Sequence, residues 1–144
     1  MMKKFEEFLD SGIVKKQTPN RERALSLIEE AQKKKRFLEV SLKTIPPEDM
    51  NANFIVDSCY DIIMELIRAK MLIDGFNPGT SHEAEISYME RIGFQETKLR
   101  FANEIRYYRN GTKYYGTVLS MEYGVKVLTF MEKVYPLLMK ICLK

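Results

Sequence analysis

"ANFIVDSCYDIIMELIRAKMLID", Ala52 to Asp74, carries two apolar stripes at once. Ile55, Cys59, Ile62, Leu66, Ala69 and Ile73 recur at alternating steps of four and three, which is one face of an α-helix. Tyr60, Met64, Ile67 and Met71 form a second stripe. Asp57, Asp61, Glu65 and Arg68 are left as a narrow polar strip. A helix that is apolar on two sides needs neighbours on both, so the chain reads as a helical bundle built around this segment.

Working outward, "TIPPEDMN" precedes the segment and closes another helix. That helix has Thr18 as its expected N-cap and Pro19 at its first position. Ala24, Ile28, Ala31, Leu38 and Leu42 are its core residues, and Lys33 to Arg36 read as a solvated face. A short helical segment, Lys3 to Leu9, comes before it and ends at Ser11-Gly12. On the other side "GFNPGTS" breaks the chain, and Thr80 with Glu83 makes a capping box for a short helix ending near Gly93. The helix after Phe94 carries Leu99, Ala102 and Ile105 on one face and is expected to end at Asn110-Gly111, because glycine favours the position just past a helix. The stretch "YYGTVL" has β-forming residues and reads as locally extended. A last helix runs from about Ser120, with Met121, Val125, Leu128, Met131, Tyr135 and Leu138 as its apolar face and Pro136 as a point of kinking. The expected class is all-α: an antiparallel up-and-down bundle of four main helices plus short extra helices, in one domain spanning residues 1 to 144.

Composition agrees with a globular chain. Of 144 residues, 45% are hydrophobic and 30% charged, enough for a core without disulfides. No apolar run approaches the roughly 20 residues that cross a bilayer, and "MMKKFEEFLD" is too charged for a secretory signal, so the reading is a cytoplasmic protein with no membrane partner. Cys59 and Cys142 lie in helical apolar stretches without metal-site spacing and read as small core residues. A net charge of +3 is a slight excess and does not by itself mark nucleic-acid binding.

Several chemistries are excluded by their residues. His82 is the lone histidine, and the zincin pattern that "SHEAE" invites would require a second at position 86, which is isoleucine. No metal site or cofactor is therefore expected, and His82 reads as a first-turn polar residue beside a cap. Asp57 and Glu65 read as solvent-facing carboxylates, with Asp61 left open. No nucleophile elbow, phosphate loop or dinucleotide fingerprint occurs. The remaining concentration of function is "RYYRNGTKYYG", Arg106 to Gly116. Arg106, Arg109, Asn110 and Lys113 share one face if the helix extends that far, and cations with an amide on one face can hold a phosphate. The plainer alternative is that these cations sit at a helix C-terminus and complement its dipole.

In order and spacing, "DSCYDIIMELIRAKMLIDGFNPGTSHEAEISYMERIGF" and "LRFANEIRYYRNGTKYYG" resemble the HEPN domain (higher eukaryotes and prokaryotes nucleotide-binding) in its small prokaryotic and archaeal form. The matching features are the Tyr60-Asp61 step, the Gly-bearing turn, the Ser-His opening a helix, and Arg109-Asn110. The resemblance implies an antiparallel helix bundle, commonly homodimeric. Many members are metal-independent RNA endonucleases or partners of minimal nucleotidyltransferases in toxin–antitoxin pairs. It also implies a signature of Arg, a polar residue and, a few residues on, His: the Arg steadies the phosphate and the His does acid–base work. Tyr114 stands where that histidine is expected. Free tyrosine has a pKa of about 10, so it is a proton donor and a poor base near neutrality.

The expectation is therefore a HEPN-like homodimer that binds a nucleotide, RNA or a nucleotidyltransferase partner without efficient nuclease activity. Its binding residues are Arg106, Arg109, Asn110, Lys113, Tyr114, Tyr115 and Asp61. Two alternatives stand beside it: a ribonuclease toxin using Arg109 and Asn110 with Tyr114 or His82 replacing the missing base, and a structural or adaptor bundle. Tyr107, Tyr108, Tyr114 and Tyr115 serve either base stacking or interface packing.

Overall fold

A computed structural model describes residues 2 to 144. Six α-helices account for most of it: α1 (Phe5–Asp10), α2 (Arg21–Thr44), α3 (Ala52–Asp74), α4 (His82–Arg91), α5 (Glu96–Tyr114) and α6 (Met121–Cys142). The protein is 75% helix and 3% strand. The strand is a two-residue antiparallel ladder, β1 (Lys15–Lys16) on β2 (Phe76–Asn77), which the sequence pattern does not announce. It ties the chain ahead of α2 to the turn behind α3.

Helix α3 is the axis of the molecule. Both of its apolar stripes are buried apart from half-buried Ile73. Asn51 caps it by accepting from the Phe54 amide at 3.0 Å, and Gly75 ends it at φ +86°, a left-handed turn that side-chain-bearing residues resist. Helix α2 runs antiparallel to it: Asn20 meets Leu72, Lys34 meets Glu65 and Phe37 meets Phe54, in descending order. Helix α6 lies along it in the same direction, with Gly124 against Ala52 and the Cys142 thiol donating to the Leu66 carbonyl at 3.3 Å. Cys59 and Cys142 are free and buried. Helix α5 pairs antiparallel with α6 through Phe101 and Phe130, whose centroids are 4.7 Å apart, and through Tyr108 and Tyr123.

Local expectations shift at several points. Helix α2 begins at Arg21 with Asn20 as its cap, accepting from Arg23 at 3.0 Å, and not at Thr18-Pro19, which precede it outside any helix or strand. The cap of α4 is Ser81, one residue past Thr80, and its hydroxyl accepts from Ala84 at 3.1 Å. The buried face of α6 is Gly124, Val127, Met131, Val134 and Leu138, whereas Met121 and Val125 face solvent. Helix α6 runs unbroken through Pro136. Residues 115 to 119 form no strand; Asn53 holds them instead, its amide donating to the Thr117 carbonyl and its oxygen accepting from the Leu119 amide, both at 2.9 Å.

Candidate functional site

Helix α5 passes through Asn110-Gly111 and ends at Tyr114, four residues beyond the expected stop at Asn110. Gly111 is there because the chain folds back over it. The Thr117 amide donates to the Gly111 carbonyl at 3.1 Å, and a Cβ on Gly111 would lie 2.9 Å from the Thr117 hydroxyl. With the helix extended, Arg106, Arg109, Asn110 and Lys113 fall on one face, as their spacing requires.

The side chain of Arg109 is only 11% exposed and lies between α5 and α3. Its Nε is 3.4 Å from Asp57 Oδ1, its Nη2 is 3.6 Å from Asp61 Oδ1, and its guanidinium carbon sits 5.3 Å over the Tyr60 ring. These contacts balance charge without forming aligned hydrogen bonds: Arg109 Nε and Asp57 Oδ1 are buried without a hydrogen-bond partner among the described residues. Burial raises the Asp57 pKa, and Arg109 opposes the rise. Of the two carboxylates expected to face solvent, Glu65 is buried, whereas the Asp57 side chain stays 44% exposed with one oxygen turned inward. Asp57 is a counter-ion of Arg109, and Glu65, 7% exposed, contacts Lys34 of α2 at 2.7 Å, an ion pair whose angles fall short of a hydrogen bond. Lys34 and Lys35, in the run expected to be a solvated face, both make contacts within the bundle. The antiparallel packing of α2 carries Lys34 to the polar strip of α3, and Lys35 lies over the Tyr135 ring at 4.9 Å.

His82 is the residue whose role the linear sequence hides. It opens α4, and its Nδ1 is 2.9 Å from the hydroxyl of buried Tyr60. Tyr60 therefore touches both Arg109 and His82. Burial, followed by the positive charges of Arg68 and Arg109, lowers the His82 pKa from its ordinary 6.5, so the ring is neutral near pH 7. Burial raises the Tyr60 pKa, which keeps its phenol protonated.

An open cleft of about 380 Å³ collects these groups. Helix α5 contributes Arg106, Arg109, Asn110 and Tyr114, and the start of α4 contributes Thr80, Ser81, His82 and Glu83. Arg106 is held at 2.9 Å by Asn103, one turn back, through Nε alone. The opening turn of α4 supplies amides that an α-helix leaves unpaired, together with the positive end of its dipole. Glu83 is the acidic wall. Of the expected binding residues, Arg106, Arg109, Asn110 and Tyr114 come together here. Asp61 sits behind Arg109 and lines a separate recess with Lys34, Glu65, Arg68 and His82. Lys113 is exposed outside the cleft, and Tyr115 lines a neighbouring aromatic groove. Among the described residues, no group of three or more His, Cys, Asp or Glu side chains is arranged to hold a metal ion. No helix among them is long and apolar enough to cross a membrane.

Comparison of the chain with family models, curated proteins and solved structures yields no match. The functional reading therefore rests on the geometry of the cleft together with the motif order of the sequence.

Proposed function

We propose that the protein is a HEPN-like, homodimeric binding protein whose cleft between the end of α5 and the start of α4 engages the phosphate of an RNA or nucleotide, or a nucleotidyltransferase partner, without efficient cleavage. The observation that carries this reading is the convergence of Arg106 and Arg109 with the α4 N-terminus on one open cleft. Guanidinium forks and free helix amides are complementary to phosphate oxygens. His82, neutral and bonded to Tyr60, adds a polar contact.

A second reading is a metal-independent ribonuclease, and one observation favours it: His82 and Tyr114 line the same cleft as Arg109. The adaptor alternative draws support from the pairing of Arg109 with Asp57 and Asp61. Incubating purified protein with labelled RNA separates the three. The binding reading expects a retarded complex and intact RNA. Cleavage that is lost in either His82→Asn or Tyr114→Phe would establish the enzyme, and absence of any RNA, nucleotide or partner complex would leave the adaptor.

A further inference from the structure

The cationic cleft has an aromatic neighbour. A groove of about 530 Å³ is lined by Tyr107, Tyr108, Gly111, Tyr114, Tyr115 and Thr117, with Asn110 completing its wall. Asn110 and Tyr114 line both recesses, so the two adjoin across these side chains. Helix geometry explains the division. At about 3.6 residues per turn, Arg106, Arg109 and Lys113 fall on one side of α5, Tyr107, Gly111 and Tyr115 on the adjoining side, and Asn110 and Tyr114 at the seam.

The tyrosines on this side are unusually exposed. Tyr107 and Tyr114 are each 69% exposed and Tyr115 is 84% exposed. The floor of the groove is set by Gly111, where a side chain would collide with Thr117. Asn53 fixes the far wall through its two bonds to residues 117 and 119. Four tyrosines around a recess with an amide at its rim offer π-faces and one polar contact, while the anion contacts lie only on the cleft side of the seam.

We infer that the two recesses form one bipartite site for an unpaired nucleotide of a single-stranded RNA, with its phosphate in the Arg106–Arg109–His82 cleft and its base stacked in the Tyr107–Tyr114–Tyr115 groove. The inference rests on the proposed phosphate-binding role of the cleft and adds a base requirement to it. Charge complementarity selects this occupant: a purely apolar partner would leave Arg106, which is bonded to Asn103 and to no carboxylate among the described residues, unanswered, and a base-paired duplex keeps its bases stacked on one another.

Fluorescence anisotropy with a short labelled single-stranded RNA, the same strand carrying abasic sites, and the corresponding duplex tests it, using the full chain, Tyr107→Ala, Tyr114→Leu and Arg106→Gln. All three substitutions lie at partly or largely exposed positions. The expected result is that abasic RNA and duplex bind more weakly than the intact strand by roughly fivefold to a hundredfold, the range of a single base–aromatic stack. Tyr107→Ala and Tyr114→Leu lose affinity for the intact strand but not for the abasic one, and Arg106→Gln weakens both. Equal binding of intact and abasic strands, with Arg106→Gln still weakening both, overturns the base half and spares the phosphate half. Insensitivity to Arg106→Gln overturns both. If Tyr107→Ala instead turns a dimer into a monomer at unchanged RNA affinity, the groove belongs to a second copy of the chain and the inference fails.

Discussion

Tyr60 is the residue on which the site turns, because its ring carries the Arg109 guanidinium and its hydroxyl holds His82. This coupling changes which substitutions are informative. Arg109→Ala would leave Asp57 and Asp61 facing each other without their cation, so its loss of function would mix folding with binding. Arg106, tied among the described residues only to Asn103, is the cleaner probe. The depressed pKa of His82 gives a pH dependence with a defined sign. In the free protein the unfolded chain takes up the proton first as pH falls through 6.5, so protonation of His82 lowers stability on the acid side. A bound phosphodiester has the opposite effect: it favours the imidazolium, so RNA binding takes up a proton and tightens as pH falls. As pH falls from 7.5 to 5.5, affinity for a diester RNA should rise, with about tenfold as the ceiling for one pKa unit of coupling, and His82→Asn should flatten the profile. A flat wild-type profile in a direct binding titration would place His82 away from the phosphate.

At the scale of elements, the return of the chain after α5 shapes both recesses, and Asn53 of α3 is its latch. Asn53→Ala removes two hydrogen bonds, to the Thr117 carbonyl and from the Leu119 amide, and should cost about 1 to 2 kcal/mol in chemical denaturation. Amide exchange at Leu119 should accelerate at the same time; an unchanged rate there would show that the loop is held by something else. This element also shows what the sequence conceals. Glycine after Asn110 has two physical uses, a left-handed helix stop or a close approach, and only the folded position of Thr117 distinguishes them. The register of α6 was hidden for a different reason. Apolar residues occupy most of its circumference, so Met121 and Val125 fit a stripe as well as Val127 and Val134 do, and packing against Ala52 of α3 decides between them. By contrast, the apolar stripes of α3 were legible almost residue by residue, because two full stripes fix which positions pack inward.

In the whole molecule, the alternating helices bring the start of α3, the end of α5 and the openings of α4 and α6 to one region. Groups 22 residues apart, such as Tyr60 and His82, thereby come within hydrogen-bond distance. The cation face of α5 was legible from spacing alone. The Tyr60–His82 bond and the burial of Glu65 were not, since each depends on which helix packs against the polar strip of α3. The cleft also answers the doubt about cations in a last helical turn: Arg106 and Arg109 face another helix's N-terminus across an open space, and only Lys113 remains a solvent-facing cation of the last turn. The central claim, that this cleft engages phosphate, is tested most directly by residue-resolved NMR as a short single-stranded RNA is titrated into labelled protein. The backbone amides of Ser81, His82 and Glu83 and the Nε–H of Arg106 are expected to shift together and saturate at one RNA concentration. Saturable shifts confined to other surfaces, with these four signals unmoved, would contradict it.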